Sequence, residues 1–470
     1  NPDPSLARTL AKALNYTFER AMSDLIDNSI ANNANNIWVY IEEKNGGLCK
    51  SPRAFVAIVD DGNGLSPEEL VNKLEYGYKS DEDERNLGAF GLGLKTASTS
   101  QSWVVAVATK KSPDQDFFRR AWDIPWIENR KWTLRIPKEE IFPSKIMEKI
   151  SSSSGTAVLL PDLSRMKSNM NELSEYNQAQ VLAKKFGDCK AYLEIVFHRF
   201  ISGKCLSKEY KGKSINIFIN DEPLTPWDPF LEENPNHQDY KIDKVSGLAH
   251  LSPNHDDSRE DLQLTLYGKS MTFRMHILPK LDPLDPLFDI AAGIKGWLAH
   301  QGVYFYRLDR MIQMGGWCGL LKNDEHNKLA RLSIDVGREW DELIELTATK
   351  DRIMVPEIEG NTFRGDFRKI FGKLRGAARS VYDADYGNSG GGSGGGQTGG
   401  GSGGPQTSSG GLAPLPEIKK IVEKHKDKVP EVKRIRKLDQ ATVDALIEVA
   451  DEDEQRVITR VWRKATRRRR

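Results

Sequence analysis

The 470-residue chain has four cysteines, Cys49, Cys189, Cys205 and Cys318. No two stand in a CxxC arrangement, which argues against a zinc ribbon and a disulfide framework; they read as buried reduced thiols. Hydrophobic residues are sparse at 38%. No apolar run approaches the roughly 18 residues of a membrane-crossing helix, so no membrane partner is expected. No signal-like apolar segment follows Asn1, and the expected compartment is the cytoplasm. Net charge is nearly absent as well: 68 Lys and Arg against 67 Asp and Glu leave +1. That balance excludes a globally basic nucleic-acid coat and says nothing of local patches.

Glycine is plentiful, and it is concentrated. Residues 387–411 hold 14 glycines in 25 positions, among Ser, Thr and Gln. Such a tract cannot bury a core and reads as a flexible tether. Dividing the charge there separates two characters. Pro414–Arg470 carries 17 basic and 11 acidic residues, a net of +6, and the rest of the chain carries 51 and 56, a net of −5. A mildly acidic body is tied to a small basic module.

The body reads as alternating helices and strands. Residues 5–31 have Leu10, Leu14, Phe18 and Leu25 at helical spacing. Ile37–Glu42 and Phe55–Val59 are β-branched and aromatic, hence strands. Ser66-Pro67-Glu68-Glu69 is a helix start. Trp103–Ala108 and Ala157–Leu160 read as further strands, and residues 174–203 as helical. Ser214–Asn220 opens a second run of strands that includes Leu262–Tyr267, Gly302–Tyr306 and Ala330–Val336, and Asn361–Arg379 closes it as a helix. The expected fold class is α/β, an α+β sandwich in two tandem layers.

Four motifs carry chemistry. Asp24-Leu-Ile-Asp-Asn28 lies on the opening helix, where Asp24 and Asn28, four apart, share a face. A base could stand there beside an oxygen ligand for Mg²⁺; taken alone, the pair reads as a polar helix face with Asp24 a surface charge. Ile58-Val-Asp-Asp-Gly-Asn-Gly-Leu65 ends a strand in two carboxylates and a turn. Gly62 and Gly64 permit positive φ and close approach to the backbone, and a buried carboxylate there could accept from an exocyclic amine. An ordinary Asp-Gly turn has the same residues. Asn86-Leu-Gly-Ala-Phe-Gly-Leu-Gly-Leu-Lys-Thr-Ala-Ser98 sets Gly88, Gly91 and Gly93 before Lys95 and Thr96, a phosphate cradle at a helix start. Leu94 separates Gly93 from Lys95, so it is not a P-loop. Ser154-Gly-Thr-Ala-Val-Leu-Leu160 brings Thr156 into a strand.

In this order and at these distances the four motifs resemble those of the GHKL (Bergerat-fold) ATPases. The resemblance implies ATP and Mg²⁺ as cofactors. It implies Asn28 as the metal ligand and Asp24 at the general-base position. Asp60 would bind the adenine amine, with Gly62 and Gly64 shaping the pocket and Thr156 supporting the adenine side. Gly88, Gly91, Gly93, Leu94, Lys95 and Thr96 would line the phosphates, and residues 77–93 would form a lid over them. One departure stands out: most hydrolysing members carry Glu where this chain has Asp24, one methylene shorter, which implies slow turnover.

Leu346-Thr-Ala-Thr-Lys-Asp-Arg352 offers Lys350, which resembles the lysine that an S5-like transducer domain extends to the γ-phosphate. Gly302–Ile312 and Asn220–Phe230 resemble MORC-type ATPases and their bacterial relatives. The resulting partition is a GHKL domain over 1–165, a helical connector over 166–213, a transducer over 214–386, the linker over 387–413 and a helical module over 414–470. Within that module Glu417–His425 and Thr442–Ala450 are amphipathic, and Arg467–Arg470 could neutralise phosphates. The resemblance implies an ATPase that forms a homodimer on binding ATP and closes as a clamp on DNA. The DNA would be reached through the basic tail or the transducer, with further partner proteins possible, in genome maintenance or anti-phage defence. A chaperone-like ATPase that remodels a protein client fits the acidic body equally well.

Overall fold

A computed structural model describes residues 16–42, 55–74, 93–130, 133–161, 163, 174–242, 249–253, 261–266, 269–341, 345–346, 353–354, 362–383, 450–451 and 455. The chain divides into two compact units, Asn1–Gly391 and Gly392–Arg470. The second unit has few described residues, and the amphipathic stretches expected in it lie almost wholly outside them.

The first unit opens with helix α1, Phe18–Ala31. Phe18, Met22, Leu25, Ile26 and Ile30 recur at helical spacing and all are buried. Strands β1 (Asn36–Glu42) and β2 (Phe55–Asp60) follow as an antiparallel pair. Helix α2 (Pro67–Leu74) begins at a capping box. In it the Ser66 N–H donates to Glu69 Oε2 at 2.6 Å and the Glu69 N–H to Ser66 Oγ at 3.2 Å. Then come α3 (Gly93–Gln101), β3 (Val104–Lys110), β4 (Phe118–Asp123), α4 (Ile124–Arg130), α5 (Ser144–Glu148) and β5 (Gly155–Leu160). A long helix α6 (Glu175–Val196) and a short α7 (His198–Ser202) lead to β6 (Asn216–Ile219) and β7 (Glu222–Pro223).

These seven strands form one mixed sheet in the order β4-β3-β5-β2-β1-β6-β7, antiparallel except for β1 beside β6. Both faces are covered. Val56 and Ile58 point into a core shared with α1, α3 and α6, and Phe55, Ala57 and Val59 into one shared with α5. All six residues of β2 are therefore buried, including the terminal Asp60. The strand read at Ser214–Asn220, expected to open the second run, joins this first sheet. Ile217 packs in the first core, Asn220 Oδ1 accepts the Ile41 N–H at 2.8 Å, and the Tyr40 hydroxyl donates to Asp221 at 2.6 Å.

The second sheet runs β13-β12-β14-β11-β8-β9, with β10 also on β11. Its strands are β8 (Gln238–Ile242), β9 (Ala249–Pro253), β10 (Leu262–Leu266), β11 (Lys269–Ile277), β12 (Gly302–Arg307), β13 (Arg310–Met314) and β14 (Ala330–Val336). Helices α8 (Pro286–Ala292) and α9 (Trp297–His300) precede β12, and α10 (Thr362–Asp383) packs Phe367, Ile370, Phe371 and Leu374 into the second core. No helix among the described residues is long and apolar enough to cross a membrane. Of the cysteines, Cys189 and Cys205 are buried free thiols and Cys318 is half-buried and free.

Candidate functional site

Helix α1 buries more than its apolar stripe. Ser23, Asp24, Asp27 and Ser29 are all nearly inaccessible, so each must find hydrogen bonds or charge partners inside the protein. Ser23 Oγ donates to the Arg20 carbonyl at 2.9 Å. Asp24 Oδ2 accepts the Tyr16 hydroxyl at 3.0 Å. Asp27 accepts Arg310 Nε at 3.2 and 3.1 Å on its two oxygens. The Ser29 hydroxyl donates to Asp60 Oδ2 at 2.8 Å. Asn28 alone in this stretch is exposed. Its Nδ2 donates one turn back to the Asp24 carbonyl at 3.0 Å, and Oδ1 is the group left to accept a cation. An exposed amide oxygen suits Mg²⁺, which keeps several waters and takes few protein ligands.

The Tyr16 phenol is held well above its ordinary range by burial and by the charge of Asp24. It also hydrogen-bonds Thr96. One residue thus joins α1 to the first turn of α3, where Lys95 and Thr96 are both buried. Gly93 opens that helix, and Leu94 packs half-buried against the first core.

Asp60 ends β2 beside Ser29 of α1. Burial pushes its carboxyl up to about 6, against the pull of the Ser29 hydroxyl and the Gly62 N–H, which reaches Oδ1 at 3.1 Å. Each oxygen keeps acceptor capacity for a further donor. The neighbouring Asp61 serves the backbone instead. It accepts the Asn35 and Asn36 N–H groups, each at 2.8 Å, and fixes the turn between α1 and β1. Register sets Thr156 of β5 opposite Asp60. The Thr109 and Thr156 hydroxyls stand 3.0 Å apart. Thr109 donates to the Gly155 carbonyl at 3.0 Å; having one hydrogen, it accepts from Thr156.

Two glycines let neighbouring backbone pack closely beside Asp60. A Cβ on Gly62 would meet the Asn32 carbonyl at 2.5 Å and Asp60 Oδ1 at 2.9 Å. Gly64 has φ +64° and would collide with the Lys110 carbonyl at 1.9 Å.

The structure therefore brings Asp24, Asn28, Asp60, Gly62, Gly64, Thr156, Lys95 and Thr96 around one helix and its flanking strand ends. Gly88, Gly91, the lid expected before Gly93, and Lys350 lie outside the described residues. Tyr16, Ser23, Asp27, Ser29, Thr109 and Arg310 were not marked by the motifs. Asp27 lies inside the first motif and Ser29 directly follows it, so both could have been found there. Thr109 and Arg310 have no local signal.

Residues 16–156 match the family model described as histidine kinase-, DNA gyrase B-, and HSP90-like ATPase. The match supports an ATP-binding ATPase domain of the GHKL class over that span, and the mixed sheet is consistent with its fold. No curated protein matches the chain. Among solved structures, the N-terminal domain of a DNA repair protein is similar at 12% identity and a TM-score of 0.42, over 81% of this chain and 98% of that one.

Proposed function

We propose that this protein is a slow Mg²⁺-ATPase whose nucleotide-driven dimerisation closes a MORC-like clamp on DNA. One observation carries the catalytic part. Asp24 and Asn28 lie one turn apart on α1, and Ser29 ties the same helix to Asp60 of β2, so metal and base positions share one helix that is hydrogen-bonded to the adenine position. Mg²⁺ would be held by Asn28 Oδ1, with waters and phosphate oxygens completing its shell and its charge offsetting that of the phosphates. Asp60 accepts the adenine amine, and the Gly62 N–H holds its Oδ1 in place. Asp24 takes the proton of the attacking water as the bond to the leaving ADP oxygen breaks. Lys350 stabilises charge on the terminal phosphate.

The expected signature separates binding from chemistry. Asn28→Ala abolishes Mg²⁺-dependent nucleotide binding in calorimetry; unchanged affinity would refute the ligand role. Asp24→Asn retains binding and lowers turnover by about 10²–10⁴-fold, the usual scale of general-base help.

The clamp reading rests on the tether and the +6 module behind it, which raise the local concentration of DNA near the body. ATP-dependent retention of circular over linear DNA at raised salt tests it. Intact ATP binding without retention would point instead to a protein client.

A further inference from the structure

Arg310 comes from the second sheet yet ends inside the first core. It follows the turn that joins β12 to β13. Leu308 and Asp309 both have positive φ, 50° and 66°, as a tight type I′ hairpin requires. The turn is pinned on its far side. Asp309, itself buried, accepts Arg199 Nη1 at 3.2 Å and the backbone N–H groups of Leu206 and Ser207, each at 2.8 Å. Arg199 also pairs with Asp335 of β14 and lies 3.5 Å over the Tyr306 ring of β12. The hairpin tip is thus anchored to α7, to the loop after it and to its own sheet.

From that anchored tip the Arg310 guanidinium reaches α1 at three inward positions. Nε contacts both oxygens of Asp27. Nη2 donates to Ser23 Oγ at 2.8 Å, and the same nitrogen stands 3.5 Å from Asp24 Oδ1. Nη1 returns to the Met311 carbonyl at 3.0 Å. Arg310, Asp27 and Ser23 are essentially fully buried, so water does not screen or replace these contacts. Burial opposes the charge on Arg310, and Asp27, Tyr192 and Asp24 together more than offset that opposition.

We propose that Arg310 is a positioning residue for Asp24: a strut through which the second sheet sets the base end of α1 and so the rate of hydrolysis. The inference rests on the reading of Asp24 as general base. The strut grips Ser23, Asp24 and Asp27, whereas Asn28 faces solvent and Ser29 is held from the opposite side by Asp60. Displacement of the tip therefore misaligns the base before it disturbs the metal and adenine positions. Lysine keeps the charge but cannot reproduce a planar fork that engages Asp27 and Ser23 together.

The test uses the full chain with Arg310→Lys and Arg310→Gln. Three quantities are read: affinity for a non-hydrolysable ATP analogue, single-turnover rate, and amide hydrogen exchange across residues 18–31. The expected result is affinity within about threefold of the parent. Turnover falls about 10²-fold in Arg310→Gln, the scale of a 1 Å misplacement, and less in Arg310→Lys. Exchange rises in α1 above any rise elsewhere. Unchanged turnover in a folded variant overturns the proposal, as does a loss of turnover matched by an equal loss of affinity with exchange raised uniformly. If Arg310→Gln does not fold, Arg310→Lys decides alone. A parent protein that neither binds nor hydrolyses ATP would remove the ATPase reading, and the α1 exchange comparison would still decide whether the strut exists.

Discussion

In the proposed function, Asp60 would couple recognition to pH. Its carboxyl has an ordinary value of 3.8 and is raised to about 6 by burial. The folded chain thus holds this proton more tightly than the unfolded chain does. The stabilisation from protonated Asp60 is complete below about pH 4 and is lost as pH rises through about 6. The ionised form is the one that accepts a hydrogen bond from an amine. ATP affinity is therefore expected to fall as pH drops below about 6, and calorimetric titration over pH 5–8 measures it; Asp60→Asn removes that pH dependence and weakens binding throughout. Asp27 behaves differently. Its value lies in a buried pair with Arg310, and removing one partner leaves an uncompensated buried charge. Asp27→Leu is expected to cost about 3–5 kcal/mol, read from urea unfolding. Asp24, Asn28 and Asp60 were visible in the sequence because their residue types and spacing are local facts. Arg310 was not, because it lies 282 positions beyond Asn28 and an arginine in a strand–turn pattern carries no mark of its partner.

At the scale of elements, the turn after β2 holds Gly64 in a left-handed backbone conformation and packs it against the Lys110 carbonyl. Gly64→Ala would place a Cβ 1.9 Å from the Lys110 carbonyl at φ +64°. The backbone strain alone costs about 1–3 kcal/mol, and the clash adds to it, so a lowered unfolding midpoint is expected together with weakened nucleotide binding. Gly187, with open space around it in α6, serves as the contrast: Gly187→Ala is expected to be neutral or slightly stabilising, since glycine is the poorer helix former by about 1 kcal/mol. Several elements were legible. The strands read at Ile37–Glu42, Phe55–Val59 and Ala157–Leu160 appear within a residue or two, and Ser66-Pro67 starts a helix. Their periodicity and caps are contained in the segments themselves. What could not be read was membership. The strand at Asn216–Ile219 has an ordinary strand pattern, and only its parallel register beside β1 assigns it to the first sheet.

For the whole molecule, the near-zero net charge is a cancellation between a −5 body and a +6 module across a glycine tether. The proposed clamp predicts that removing residues 392–470 leaves ATP binding unchanged and reduces salt-sensitive DNA retention, measured by filter binding across a salt series; retention that survives the deletion would move the DNA contact to the body. Light scattering should show a doubling of mass with the ATP analogue and none with Asn28→Ala.

Composition, spacing and residue type determined much by themselves. The absence of long apolar runs, the tether, the charge division and the four motifs follow from neighbours in the chain, and so does the spacing of an acid and an amide four apart on one helix, though the fold buries Asp24 and exposes Asn28. Tertiary structure decided which buried polar group meets which. Ser29 reaches Asp60, Thr109 reaches Thr156, and Arg310 crosses from the second sheet to Asp27. Those pairings arise because buried donors and charges must be matched wherever the folded backbone brings them together, and sequence order does not encode that proximity.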